Sequence, residues 1–138
     1  MTDDRLISLS EKRLKKANTE YSAAVLTQNA GFYDVASTRV YYAAFHAIRA
    51  ILALGNVDFK KHSQVIGYFN KHYIHTNLID RSLGSVIVNV SKSRNNSDYD
   101  DFYEAESKEV EDNIADVFKL IKSIEQYIAE KTGQVFTL

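Results

Sequence analysis

Residues 32–54 read FYDVASTRVYYAAFHAIRAILAL, a run without Gly or Pro that is apolar on nearly every face. A surface helix needs a polar side for water, so a helix this apolar belongs at the centre of a bundle. Ala36, Val40, Ala43, Ala47, Ile51 and Leu54 recur at steps of three and four, one continuous helical face. Ala43, Ala44, Ala47 and Ala50 let neighbouring helices approach closely. The polar exceptions are also in register: Arg39, Tyr42, His46 and Arg49 form a seam at steps of three, four and three. Two readings follow: an edge of the core that reaches water, or one wall of a functional cleft. The stretch is long enough for a membrane span, but Asp34, Arg39, His46 and Arg49 oppose insertion, at roughly 2.5–3.5 kcal/mol per central charge.

Outward from this stretch the chain reads as helices separated by Gly and Asn. A first helix is expected over Asp3–Thr27, with Asp3 and Asp4 in its first turn and Ile7, Leu14, Ala17, Tyr21, Ala24 and Val25 as its apolar stripe. Glu11, Lys12, Arg13, Lys15, Lys16 and Glu20 form its solvated face. Gly31 stops this helix, and Gly55-Asn56 stops the second. A third, shorter helix is expected over His62–Tyr73. Asn77 and Asp80 open a fourth that points Ile79, Leu83, Val86, Ile87 and Val90 inward; its SVIVNV run is β-branched, but the three-and-four spacing favours helix. Arg94 continues that apolar stripe, and Asn95, Asn96 and Ser97 then break the helix. The last helix is expected over Tyr103–Lys131 with Gly133 as its stop. Its seam of Val110, Ile114, Val117, Ile121, Ile124 and Ile128 can pack in the bundle or against a second copy. The tail QVFTL is expected to be loosely held. The whole is one domain, residues 1–138: an all-α, up-and-down helical bundle of four long helices plus one shorter helix.

The net charge of −1 hides an asymmetry. Residues 1–97 carry 13 Lys+Arg against 7 Asp+Glu, and residues 98–138 carry 4 against 11. Mutual neutralisation of packed helices is the expectation, so the basic part alone is no nucleic-acid footprint. The absence of Cys excludes disulfides and thiolate metal sites. With a charged N-terminus unlike a signal peptide, it leads us to expect a cytoplasmic protein off the membrane. No phosphate loop, HExxH motif or nucleophile turn is present. His72 and His75 stand at i, i+3 with only Asp80 near, and no metal or cofactor is expected. Arg94 and Asp98 at i, i+4 form either a helix-end ion pair or, with Asn95 and Tyr99, a phosphate-holding group.

YYAAFHAIRAILA at 41–53, KKHSQVIGYFNKHYI at 60–74 and RNNSDYDD at 94–101 together resemble the HEPN superfamily, higher eukaryotes and prokaryotes nucleotide-binding, and within it a small stand-alone prokaryotic branch. The resemblance runs from about Leu6 to Ile128. It implies a bundle of four to five helices, a homodimer, and a cleft near the dimer interface where two polar motifs meet. Many members are metal-independent RNases, often the toxin of a toxin–antitoxin pair, with a minimal nucleotidyltransferase as partner. Arg94-Asn95 matches the opening of the ribonuclease motif, Arg then a polar residue. The His that should follow is replaced by Asn96, Ser97, Asp98, Tyr99, Asp100 and Asp101. Cleavage by 2′-hydroxyl attack needs a proton acceptor near neutral pH, which His supplies best.

The site expected from this reading joins Arg94, Asn95, Asp98 and Tyr99 to Arg39, Tyr42, His46 and His62. Three functions stay open: a dimeric module that engages RNA, a nucleotide or a nucleotidyltransferase; an RNase toxin whose His comes from elsewhere, with His46, His62 and His72 as candidates; and a structural dimer. The Arg39–His46 seam and Arg94 are expected to face one cleft.

Overall fold

The computed structural model describes residues 3–136. Helix α1 spans Asp4–Asn29, α2 Tyr33–Leu54, α3 His62–Phe69, α4 Gly84–Tyr99 and α5 Ser107–Thr132, with no strand among the described residues. The molecule is the expected all-α bundle. No described helix is long and apolar enough to cross a membrane.

Local chemistry sets the ends. Asp3 is the cap of α1, its carboxylate accepting the Arg5 N–H at 2.7 Å. Gly31, at φ +86°, turns the chain back so that α2 packs along α1. Gly133, at φ +70°, closes α5 by donating to the Ala129 carbonyl. Helix α2 is the axis of the bundle and packs on α1, α3, α4 and α5. Ala43, Ala44, Ala47 and Ala50 are fully buried along it, which is where the close approach of its neighbours occurs.

Several boundaries differ from expectation for identifiable reasons. The third helix ends at Phe69 and gives way to a π-helical turn over Asn70–Ile74. Asp80 caps only a 3₁₀ turn, Arg81–Leu83, and α4 begins at Gly84. Asn77 sits at φ +60° and accepts the Arg81 N–H on its side-chain oxygen, so it shapes a turn rather than a helix start. Ile79 is buried all the same, from the loop. RNNS does not break α4, which continues to Tyr99 because Asp98 is tied to Arg94 behind it and to Thr38 of α2. Helix α5 starts at Ser107, four residues late, because Tyr103–Glu106 form a loop pinned by Tyr103 Oη donating to Glu109 and by the Ala105 N–H donating to Asp34.

Arg13 is not on the solvated face. It is 8% exposed, donating to the Arg49 carbonyl at 3.1 Å and to Asp58 at 3.0 Å, the partners a buried cation requires. The heptad seam of α5 is spent inside the chain: Val110, Val117, Ile121, Ile124 and Ile128 are buried and Ile114 partly so. Phe136 of the tail packs on the core, while Thr137 and Leu138 lie outside the described residues.

Candidate functional site

Arg94 lies one turn beyond Val90 on α4, where the apolar stripe meets the tyrosines of α2. Its side chain is 19% exposed, and its guanidinium carbon lies 5.2 Å from the Tyr41 ring centroid and 5.6 Å from those of Tyr42 and Tyr99. A guanidinium held over three aromatic faces is bound by the rings' negative faces as well as by packing. Nη2 also donates to Tyr42 Oη at a long 3.3 Å. Asp98 Oδ2 is 2.9 Å from Nε but off the N–H axis, so this is a charge contact and not a directed hydrogen bond. The other Asp98 oxygen accepts from Thr38 Oγ1 at 2.8 Å, which fixes the carboxylate between α2 and α4.

His62, the first residue of α3, enters the same cluster from the third side. Its Nδ1 is 2.8 Å from Tyr41 Oη, and its ring stacks on Phe45 with centroids 4.0 Å apart. Burial, then the positive charges of Arg94 and Arg49, holds the imidazole below its ordinary pKa. Burial pushes Tyr41 up to about 12, so at neutral pH a protonated phenol faces a neutral imidazole. When Nδ1–H donates to the Tyr41 oxygen, Nε2 is left as an acceptor; when Tyr41 donates, Nε2 carries the proton. The same ring therefore serves as base in one tautomer and as donor in the other.

The remaining expected residues divide. Tyr42 and Tyr99 touch the guanidinium, and Tyr99 is 74% exposed. Arg39 lies 5.5 Å from the Tyr42 centroid, but its Nη1 donates to both Glu20 oxygens at 3.0 and 2.8 Å. His46 stands 6.1 Å from Tyr42, ring to ring, with Nδ1 buried and unpartnered. Burial, with Lys16, Arg49, Arg13 and His62 around it, pushes its pKa down to about 4. Asn95 is exposed one residue on from Arg94, and no hydrogen bond joins its side chain to the cluster among the described residues. The seam and Arg94 thus meet at Tyr42, while Arg39 and His46 flank it with other surroundings.

Sequence reasoning missed Tyr41, Phe45 and Thr38. Tyr41 and Phe45 stand at i, i+4, a signal masked because both read as core. The pairing of Arg49 with Asp58 at 3.0 Å, and of Arg13 with the same oxygen, had no signal, because Asp58 lies in a loop. Among the described residues no group of three His, Asp or Glu side chains is placed to hold a metal ion.

Comparison with known proteins places the chain in a family. The HEPN domain model matches residues 10–127. A Methanocaldococcus jannaschii protein named "putative toxin" is 36% identical over 101 residues, 73% of this chain and 69% of its own length. A UPF0332 protein of Thermotoga maritima is 30% identical over 108 residues, 78% of this chain and 81% of its own. A UPF0332 protein of Pyrococcus horikoshii is 38% identical over 71 residues, about half of each chain. Because the family model covers most of the bundle, Arg94 and His62 included, the chain belongs to the HEPN domain family.

Proposed function

We propose that this chain is the toxin-type member of a toxin–antitoxin pair and cleaves RNA without a metal, using Arg94 to hold the phosphate and His62 as the base. The observation that carries the reading is that His62 and Arg94 share the Tyr41 ring: one bonds its hydroxyl and the other lies 5.2 Å from its centroid. The motif His missing after Arg94 has a replacement supplied by α3. His62 Nε2 takes the 2′-hydroxyl proton, O2′ attacks the adjacent phosphorus, and the P–O5′ bond breaks. The products are a 2′,3′-cyclic phosphate and a 5′-hydroxyl that regains the proton from the imidazolium. A base of pKa near or below neutrality is suited to this step, a contribution of roughly 10²–10⁴-fold. Arg94 offsets the charge that builds on the phosphoryl oxygens, and Asp98 with Thr38 positions it. The toxin name of the M. jannaschii relative supports the system type.

The chain acts as a homodimer and is held in check by a minimal nucleotidyltransferase, as the family resemblance implies. Tyr99, 74% exposed beside Arg94, and Phe102, 97% exposed three residues on, supply apolar surface for such contacts. A second reading, a nucleotide-binding module without catalysis, is favoured by one observation: the motif His after Arg94 is absent, with Asn96, Ser97, Asp98, Tyr99, Asp100 and Asp101 in its place.

One paired assay separates them. Wild type, Arg94→Ala and His62→Gln are compared for growth arrest on expression, for cleavage of a short single-stranded RNA, and for mass in solution. Loss of cleavage and arrest in both variants, with cyclic phosphate ends from wild type, is expected. RNA binding without cleavage by wild type selects the second reading, and arrest that survives Arg94→Ala removes the first.

A further inference from the structure

The loop from Gly55 to Lys61 and α2 border an open pocket of about 420 Å³, lined by Phe45, Arg49, Asp58, Phe59, Lys60 and His62. This volume lies in the range of about 300–1,000 Å³ usual for small-molecule sites. Its floor is built. Nearly buried Arg13 and half-buried Arg49 each place a guanidinium nitrogen 3.0 Å from Asp58 Oδ2, and Asp58 Oδ1 accepts the Phe59 N–H at 2.9 Å. Two cations on one carboxylate leave net positive charge. Lys60 adds to it, since it forms no ion pair among the described residues. Phe59, 37% exposed and 5.8 Å from Tyr68, offers an aromatic face at the rim. His62 borders the pocket on one side and bonds Tyr41, the platform of Arg94, on the other.

We propose that this pocket is a nucleotide subsite, with Arg49 and Lys60 on a phosphate and Phe59 stacked on a base. An RNA strand seated there passes His62 and presents its neighbouring phosphate to Arg94, so the inference rests on the ribonuclease reading and names how its substrate is held. An anion alone would need only the cations. The aromatic wall is what selects a phosphate that carries a base, and stacking tolerates any base because each has a π-face.

The test is calorimetric titration of the full chain with adenosine monophosphate, adenosine and inorganic phosphate, with amide NMR to locate the site. Adenosine monophosphate is expected to bind tighter than either fragment and to shift the amides of residues 58–62. Phe59→Ala and Lys60→Ala each weaken it roughly fivefold or more. Lys60 is exposed, so its variant reports binding even if Phe59→Ala loosens the loop. Affinity no better than that of phosphate, shifts centred on Arg94, or unchanged binding in both pocket variants overturns the proposal. RNA cleavage is read separately: cleavage without mononucleotide binding removes the pocket alone, and binding at 58–62 without cleavage leaves the pocket standing and removes the ribonuclease reading.

Discussion

Arg94 works through shape as much as charge, and that is testable by a change that keeps the charge. Arg94→Lys retains a cation but loses the planar fork and most of the contact with Tyr41, Tyr42 and Tyr99. We expect it to lose most RNA cleavage, at least about tenfold, and about 1–2 kcal/mol of stability from the weakened aromatic contacts, read by cleavage assay and urea denaturation. Arg94 was legible because a charge in register with an apolar stripe is an anomaly. His62 was one of several histidines of equal standing, and only the fold brings it to Tyr41. The pH behaviour of the two site histidines follows from their surroundings. His62, held low by burial and by Arg94 and Arg49, stays neutral at pH 7, so cleavage falls as acid takes it through a midpoint below its ordinary 6.5. Removing Arg94 removes one of these repulsions, and the NMR titration midpoint of His62 should rise in Arg94→Ala. His46, pushed to about 4, acts on stability. Above pH ~6.5 it is neutral folded or unfolded; between ~6.5 and ~4 the unfolded chain takes up a proton that the folded chain does not. Stability therefore falls with falling pH across that window, by about 1–2 kcal/mol once solvent access is allowed for. His46→Gln should flatten that part of the urea-midpoint profile, and an unchanged slope would assign the acid sensitivity to other groups.

At the scale of elements, apolar spacing was a sound guide to which helices exist and which faces they bury, and a poor one to where they end. The α2 face and the α5 seam were both readable because tertiary packing and three-and-four periodicity point the same way. The end of α4 was not, since Asn95, Asn96 and Ser97 have weak helix propensity that the Arg94–Asp98–Thr38 link overrides. The start of α4 was not either, because its cause is a neighbour distant in sequence. A Cβ at Gly84 would stand 2.8 Å from Ile74 Cγ2, a methyl of a buried β-branched side chain with little freedom to move. Gly84 is thus where the π-turn at Asn70–Ile74 and α4 press together. Helix propensity alone says Gly84→Ala should gain up to about 1 kcal/mol. The contact says it should instead lose about 1–3 kcal/mol by overpacking, seen as a lower urea midpoint at unchanged slope. A gain in stability would show that Ile74 yields easily and that the junction is loose.

Across the whole molecule the expected mutual neutralisation is not made by contact. Among the described residues, Arg94–Asp98 is the one ion pair joining a cation of residues 1–97 to an acid of residues 98–138; the others lie within one segment or the other. Helix α5 is held instead by its apolar seam and by polar links such as Asn18 to Glu125 at 3.2 Å. The basic excess therefore meets no acid of residues 98–138 other than Asp98 among the described residues, and part of it, Lys60 and the Arg49 that shares Asp58 with Arg13, lies beside His62. Charge of this kind acts on RNA through the release of counterions, which makes affinity fall with salt by a log–log slope of about −0.7 per phosphate contacted on a single strand. With one phosphate at Arg94 and one at the Arg49–Lys60 pocket, a short single strand should show a slope of roughly −1.4. Arg94→Ala and Lys60→Ala should each flatten it by about 0.7, whereas Asp112→Asn on the acidic α5 should leave it nearly unchanged. Fluorescence anisotropy across a salt series measures all three. A slope that Arg94→Ala does not alter would mean that no phosphate rests on that guanidinium. Asp98 would then be its sole counter-ion, and the tyrosine cluster would serve packing alone.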